Sequence, residues 1–162
     1  NNLLDNGYPN RNKIYDFIAS YDMVNEISAV RSVATLRING ELATVTGYTV
    51  NDSNYFKVRD IAMLMRNTTA KFNVSWDSEL EAIMIDTHSD YVPIGGELSS
   101  EIDQNMNVVE NNTPIYVDGR RTAITAYNIN GSSYFKIRDI ADAAGFEIQW
   151  DGGSQTINLI TE

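Results

Sequence analysis

Cysteine is absent from this 162-residue chain, and histidine occurs once, at His88. Without cysteine the chain has no disulfide bond, no thiolate metal ligand and no cysteine nucleophile. No apolar run comes near the roughly 18 residues that a membrane-spanning helix needs. The sequence therefore predicts no membrane span in this segment.

Basic residues are also scarce. Twelve Lys and Arg stand against 22 Asp and Glu, which gives a formal net charge of −10 and a pI near 4.4. Because binding to nucleic-acid phosphates needs a basic surface, this charge argues against a nucleic-acid partner.

Catalytic motifs are missing as well. The sequence has no Gly-x-Ser-x-Gly elbow, no His-Glu-x-x-His pair and no phosphate-binding loop. Carboxylate pairs are plentiful in any acidic chain, so the sequence alone leaves a two-acid glycosidase open. A chain spent on two small repeats leaves little scaffold for a cleft, however, and we predict no enzyme and no cofactor.

What the chain does contain is a duplication. Residues 49–62 and 128–141 both include Tyr-Phe-Lys-[Val/Ile]-Arg-Asp-Ile-Ala, a match too long to arise by chance. Internal repeats decide a fold, because each copy is one structural unit. We predict four segments, which are an N-terminal helical segment over 1–32, repeat 1 over 33–86, a linker over 87–112 and repeat 2 over 113–162.

Both repeats predict the same order of elements. Asn39-Gly40 and Asp118-Gly119 separate alternating runs, as the two-residue turns of β-hairpins do. A short strand with the shared Tyr-Phe-Lys follows, and then a helix that opens at Asp60 or Asp139, whose carboxylate can cap it. Two more strands close each copy. The predicted fold class is α+β, with two tandem repeats, each an antiparallel sheet of about five strands around one helix.

The segments outside the repeats carry weaker signals. An apolar stripe predicts the N-terminal helix, which should pack on repeat 1 or on a neighbouring domain; its members are Ile14, Phe17, Ile18, Tyr21, Val24 and Ile27. The linker is expected to hold one short strand at Tyr91–Ile94. Repeat 1 has five extra residues around 66–70, which should lie in a surface loop.

The repeated motifs resemble a known family. An Asp/Asn-Gly hairpin, Ala-Tyr-Asn-Ile, Tyr-Phe-Lys-Ile-Arg-Asp-Ile-Ala, an aromatic-x-[Val/Ile]-x-Trp-Asp strand and a closing Thr-Ile-Asn-Leu are similar to the copper amine oxidase N-terminal-like, or stalk, domain. The resemblance covers about 33–86 and 113–161. It implies a five-stranded antiparallel sheet wrapped around one helix. It also implies a non-catalytic module of secreted and cell-envelope proteins of Gram-positive bacteria.

Copper binding does not carry over with the resemblance. In that family the oxidase chemistry belongs to a different domain, which needs a self-processed tyrosine and three histidine ligands. Here His88 is the one histidine, and it lies in the linker. We therefore predict no metal site. The Asp- and Asn-rich turns lack the ligand alternation of an EF-hand loop and are expected to be hairpin turns.

Seven residues are candidates for ligand contact, and they are Tyr55, Lys57, Arg59, Tyr127, Tyr134, Lys136 and Arg138. Arginine can grip a carboxylate or phosphate bidentately. We nevertheless favour a structural role for the repeated Lys-x-Arg-Asp group, because fold determinants are needed in both copies whereas catalytic groups seldom are. Trp76 and Trp150 are in phase with the apolar residues of their strands. They are expected to face the core rather than to stack on sugars.

Two functions remain open. The first is a non-catalytic stalk or spacer, extracellular or associated with the cell envelope, that works through protein contacts with flanking domains. The second is a module that binds a cell-wall glycan or peptide beside a hydrolase. Exposed tyrosines clustered on equivalent faces of both repeats would favour binding, and a continuous interface between the repeats would favour the spacer.

Overall fold

Strands dominate the structure, a computed structural model that describes residues 4–5, 8–9, 27–99 and 105–161. Strands β1 (Leu4–Asp5) and β2 (Tyr8–Pro9) pair with each other, and β3 spans Ile27–Arg31. Most of the predicted N-terminal helix falls outside the described residues. At its predicted end the prediction is wrong, since Ile27 begins a strand that hydrogen-bonds to a neighbour on either side.

Repeat 1 follows the predicted order, with its return strand split in two. Its elements are β4 (Thr35–Ile38), β5 (Glu41–Ala43), β6 (Tyr48–Val50), β7 (Ser53–Lys57), helix α1 (Val58–Met65), β8 (Asn73–Asp77) and β9 (Ala82–Asp86). The five extra residues at 66–70 form turns after α1, as predicted. The break between β5 and β6 includes Gly47, where a Cβ atom would stand 2.1 Å from the carbonyl oxygen of Tyr55.

The linker holds one strand among its described residues, but not where the sequence predicts it. Residues Tyr91–Ile94 are irregular, and the strand is β10 (Asn105–Val108) instead. Pro93 cannot donate to a ladder. The main chain beyond it folds around the carboxylate of Glu97, which accepts the N–H groups of Ile94 and Gly95.

Repeat 2 contains β11 (Ile115–Val117), β12 (Arg120–Arg121), β13 (Ala126–Ile129), β14 (Ser132–Lys136), helix α2 (Ile137–Ala144), β15 (Glu147–Asp151) and β16 (Thr156–Ile160). The hairpin turns have the positive φ angles that their sequences predict, 51° and 88° at Asn39-Gly40 and 51° and 85° at Asp118-Gly119. Gly145 ends α2 in the left-handed conformation, as predicted.

Strands from both repeats share each of the larger sheets. The six-stranded sheet has the order β10-β3-β6-β7-β14-β13, and the four-stranded sheets are β12-β11-β9-β8 and β15-β16-β4-β5. Hairpin β11–β12 therefore pairs with the closing strands of repeat 1, and hairpin β4–β5 pairs with those of repeat 2. The junctions β11–β9 and β4–β16 are parallel. The described residues thus form mixed sheets that cross between the repeats, rather than the two self-contained antiparallel sheets that were expected.

A pseudo-twofold relation connects the repeats. Strands β7 and β14 are antiparallel neighbours, with Phe56 opposite Phe135 and Tyr55 opposite Lys136. Because these residues occupy equivalent positions in the duplicated sequence, each strand pairs with its own counterpart. The repeats are therefore joined through the motif that they share.

One apolar core contains residues of both repeats. Helix α1 packs on β7, β8 and β14, while α2 packs on β14, β15 and β7. The two central phenylalanines, Phe56 and Phe135, are buried in the same cluster as Ile61 of α1 and Ile140 of α2. Each helix thus covers strands of its own repeat and of the other one.

The acidic residue in the first turn of each helix does not cap it. Each helix begins two residues earlier than predicted, so Asp60 and Asp139 are its third residue, and neither helix has a side-chain cap. Asp60 instead accepts the N–H of Leu98 at 2.8 Å, and Asp139 accepts the N–H of Thr125 at 3.2 Å. These carboxylates fasten loops to the helices while they face the positive end of the helix dipole.

Candidate functional site

The candidate tyrosines lie together on one face of the six-stranded sheet, and they are buried. Tyr55, Tyr127 and Tyr134 are each 3% exposed, and Tyr48 is fully buried beside them. Their rings meet edge to face, with centroids 5.5 Å apart for Tyr48 and Tyr134 and 5.0 Å apart for Tyr55 and Tyr127. Burial raises the pKa of Tyr55, Tyr127 and Tyr134. In this packing they stabilise the sheet and offer no surface to a ligand.

The two tryptophans are exposed, whereas the candidate tyrosines are buried. Trp76 and Trp150 are each 56% exposed, so the expectation that they face the core is wrong. Strands β8 and β15 are edge strands of their sheets, and each tryptophan is next to the last residue of its strand. Each tryptophan lies on the same side of its strand as the apolar residue two positions before it, but the core does not extend far enough along the strand to cover the tryptophan.

Trp150 lines a groove of about 550 Å³ that is built from both repeats. Repeat 2 contributes Lys136 and Arg138 at the junction of β14 and α2, together with Trp150 from β15. Repeat 1 contributes the turn Asp52–Asn54. We call this the Trp150 groove. The hairpin turn reaches it because β7 and β14 are neighbours in the central sheet.

The pseudo-twofold relation produces a second groove around Trp76. Lys57 and Arg59 occupy the positions of Lys136 and Arg138, and the turn residues Gly131–Ser133 of repeat 2 replace those of repeat 1. This Trp76 groove has an additional wall, Ile94–Glu97 of the linker, and a volume of about 290 Å³. The four candidate residues that are not tyrosines are thus divided between two equivalent grooves. Each groove also contains a tryptophan that the sequence predicts to face the core.

Hydrogen bonds hold the additional wall of the Trp76 groove in place. Glu97 accepts the Tyr91 hydroxyl at 2.5 Å and the N–H groups of Ile94 and Gly95 at 2.8 and 2.9 Å. Burial raises the pKa of Glu97, but these hydrogen bonds outweigh it and lower the pKa to about 2. Arg59 donates to the Tyr91 hydroxyl at 3.3 Å and lies 6.0 Å from the centre of its ring.

Among the described residues of the Trp150 groove, no side chain contacts Arg138 in the way that Tyr91 contacts Arg59. Arg138 is exposed, and neither it nor Lys136 makes a side-chain hydrogen bond or an ion pair with the residues that the structure describes. Trp76 and Trp150 occupy equivalent positions in the two copies, which could have marked them as parts of two equivalent sites. The grooves could not be predicted from this equivalence, because the sequence does not show that a turn of the other repeat lies opposite each tryptophan.

The part of the chain that the structure describes contains neither a candidate metal site nor a candidate membrane span. No group of three or more His, Asp or Glu side chains there is arranged to hold a metal ion. No helix there is long and apolar enough to cross a membrane.

Comparison with known proteins identifies a family. The model of the copper amine oxidase N-terminal domain matches residues 37–159 as one copy that runs through both repeats. No curated protein and no solved structure matches the chain. In amine oxidases this N-terminal domain is non-catalytic. With about three quarters of its length matched, the chain belongs to the copper amine oxidase N-terminal domain family.

Proposed function

We propose that this chain is a non-catalytic spacer, or stalk, that acts outside the cell or at the cell envelope and holds flanking domains of the same protein apart. Membership of a family whose domain is non-catalytic supports the absence of catalysis. The interface between the repeats is continuous through three sheets and one core. A spacer benefits from such an interface, because a flexible joint between the repeats would shorten its reach.

The observation that carries the proposal is the pairing of β4 with β16, the first and last strands of the duplicated region. They are parallel neighbours, in register from Thr35 opposite Thr156 to Ile38 opposite Leu159. Once tension has detached β3 from the six-stranded sheet, it pulls β4 from its beginning and β16 from its end. In a parallel pair these forces slide one strand along the other, so the hydrogen bonds of the ladder resist together and do not break one by one.

Contacts at the far end of this pair strengthen it. The N–H of Asn39 donates to the carbonyl of Leu159 at 2.8 Å. The Asn39 side chain accepts the N–H of Thr161 at 2.9 Å and donates to its hydroxyl at 2.8 Å. The turn of the first hairpin therefore holds the end of the last strand.

Force spectroscopy tests the proposal, and the lack of native cysteine allows attachment at chosen positions. Handles on cysteines at Val33, which is 78% exposed, and at Glu162 would load the β4–β16 pair in shear. Handles at Val33 and Gly153, in the turn before β16, would open the same pair from one end. We expect a clearly higher unfolding force in the first geometry.

The matched variant is Asn39→Gly, which removes the side-chain contacts to Thr161 and still accepts the positive φ angle of the turn. It should lower the unfolding force in the shear geometry and have little effect in the opening geometry. Equal forces in the two geometries would show that the chain is not built to carry tension, and the spacer proposal would then lose its main support.

A further inference from the structure

We propose that the Trp150 groove binds an acidic glycan, with a sugar ring on Trp150 and a sugar carboxylate on Arg138. The proposal is independent of the spacer function, because it rests on the groove and not on the β4–β16 pair. It names a site on the surface of the spacer and the chemical class of its ligand.

Lys136 and Arg138 are the cations of the groove. Among the described Lys and Arg side chains, only Lys71 forms an ion pair, with Asp90. Arg138 and Lys136 line the groove without a hydrogen bond or ion pair to the described residues. The planar guanidinium group of arginine matches a carboxylate with two parallel N–H donors. Both side chains of the groove are therefore available to contact an anion.

The Trp150 groove also has an exposed aromatic ring. Trp150 is 56% exposed although its strand keeps the apolar phase of the core. An indole ring presents a flat apolar surface with one N–H donor at its edge. The C–H face of a sugar ring fits such a surface. Ser53 and Asn54 from the opposite turn supply polar groups for hydroxyls.

The lining of the Trp150 groove contains three charged side chains. Lys136 and Arg138 contribute two positive charges to the groove lining, and Asp52 contributes one negative charge. One net positive charge suits one carboxylate at a time. The surrounding acidic protein repels densely charged polyanions, so we infer a glycan in which uronic acids alternate with neutral sugars.

The Trp76 groove explains why one site is expected rather than two. Its arginine, Arg59, already contacts Tyr91, and the Ile94–Glu97 wall reduces the space beside Trp76. The Trp76 groove thus has an equivalent tryptophan, lysine and arginine, but its arginine already donates a hydrogen bond to the Tyr91 hydroxyl. It is a matched internal control.

Titration with hyaluronan hexasaccharide, in which glucuronate alternates with N-acetylglucosamine, tests the proposal. Chitohexaose is the uncharged match. In the Trp76→Phe variant, Trp150 is the sole tryptophan, and its emission should change on saturation by the acidic oligosaccharide. Calorimetry should give one site per chain. We expect chitohexaose to bind at least about tenfold more weakly, the factor that loss of one charged contact typically produces.

Substitutions then locate the site. Trp150→Ala and Arg138→Gln should each weaken binding about tenfold or more, as removal of central tryptophan and arginine contacts does. Trp76→Ala and Arg59→Gln should change it less than about twofold, well under the tenfold that 1.4 kcal/mol represents. Thermal unfolding of each variant checks that the fold is intact, which is expected because both tryptophans are exposed.

Several outcomes would overturn the proposal. They are equal binding of chitohexaose, equal effects of Trp76→Ala and Trp150→Ala, or no binding of the acidic oligosaccharide. Tighter binding of a hexaglutamate peptide than of the oligosaccharide would also overturn it, since that result would assign the groove to acidic peptides.

Discussion

Replacement of Phe135 by alanine tests whether the two repeats unfold as one body. Phe135 of repeat 2 is fully buried and lies opposite Phe56 of repeat 1 in the β7–β14 pair. Removal of a buried phenylalanine ring costs about 3–5 kcal/mol, because the lost contacts leave a cavity. In a domain of about 150–250 residues each kcal/mol lowers Tm by about 2–4 °C. We therefore expect Tm to fall by roughly 6–20 °C.

The unfolding midpoint can be measured separately for each repeat. Trp76 reports on repeat 1 and Trp150 on repeat 2, so Trp76→Phe and Trp150→Phe give two single-tryptophan backgrounds. Since one core contains both Phe56 and Phe135, Phe135→Ala should lower the midpoint equally in the two backgrounds. Calorimetry should show one transition whose measured enthalpy equals the van't Hoff enthalpy.

A control comes from the exposed hairpin of repeat 1. Leu42 is 63% exposed, and Leu42→Ala should change stability by less than about 0.5 kcal/mol, as surface substitutions usually do. The reasoning fails if Phe135→Ala shifts the Trp150 signal alone, or if calorimetry resolves two transitions. Either result would mean that each repeat has its own core.

Three further substitutions test local features. Gly47→Ala should lower the free energy of unfolding in urea by about 1–3 kcal/mol or more, because its Cβ would meet a backbone oxygen at 2.1 Å. The control is Ala126→Gly at the equivalent position of repeat 2, which should cost only about 0.5–1 kcal/mol. Equal losses in the two variants would contradict the clash. Burial raises the pKa of Asp60 despite the Leu98 hydrogen bond, so its contribution is full below its ordinary pKa and is lost as pH rises. Asp60→Asn should therefore gain stability relative to the native protein as pH rises above about 4, and a pH-independent difference would refute this. The pKa of Glu97 is lowered from 4.5 to about 2, so its contribution is present above pH 4.5 and lost towards pH 2; the stability lost in Glu97→Gln should shrink over that interval and not grow.

Local chemistry accounts for the parts of the fold that the sequence predicts well. Asn39-Gly40 and Asp118-Gly119 accept positive φ angles that other residues resist, so the hairpins form where these pairs occur. Gly145 ends α2 for the same reason. These signals act within a few residues, and they need no knowledge of the rest of the chain.

The pairing of strands could not be predicted from the sequence in the same way. Alternation of apolar residues tells which face of a strand is buried, but it does not tell which strand lies beside it. Ile157 fits a neighbour in its own repeat as well as it fits Leu36 of repeat 1, with which it pairs in parallel. The exchange of hairpins, and the grooves that result from it, therefore could not be read from the pattern.

The candidate site, like the fold, could be predicted from the sequence only in part. Lys136 and Arg138 were identified from the repeated motif and do line a groove, and their role in ligand binding stays a prediction. Tyr134 is a candidate for ligand contact by its place in the same motif, yet it is buried against Tyr48. Trp150 was assigned to the core by phase alone. Phase describes the direction of a side chain, and only the extent of the neighbouring elements decides whether anything covers it.

The exchange of hairpins leads to a final prediction, that repeat 2 expressed alone as residues 113–162 forms a dimer. Strand β16 would lack its neighbour β4, in which Leu36 lies opposite Ile157. The equivalent Ile115 of a second copy can take the place of Leu36, and β14 can pair with another β14 around Phe135, because that register is self-complementary. Such exchange is a common route to symmetric dimers. Light scattering should give twice the mass of the fragment, and Phe135→Ala should weaken the dimer. A folded monomer at the highest soluble concentration would mean that one repeat can complete its own sheet, and the exchange would then not be required for folding.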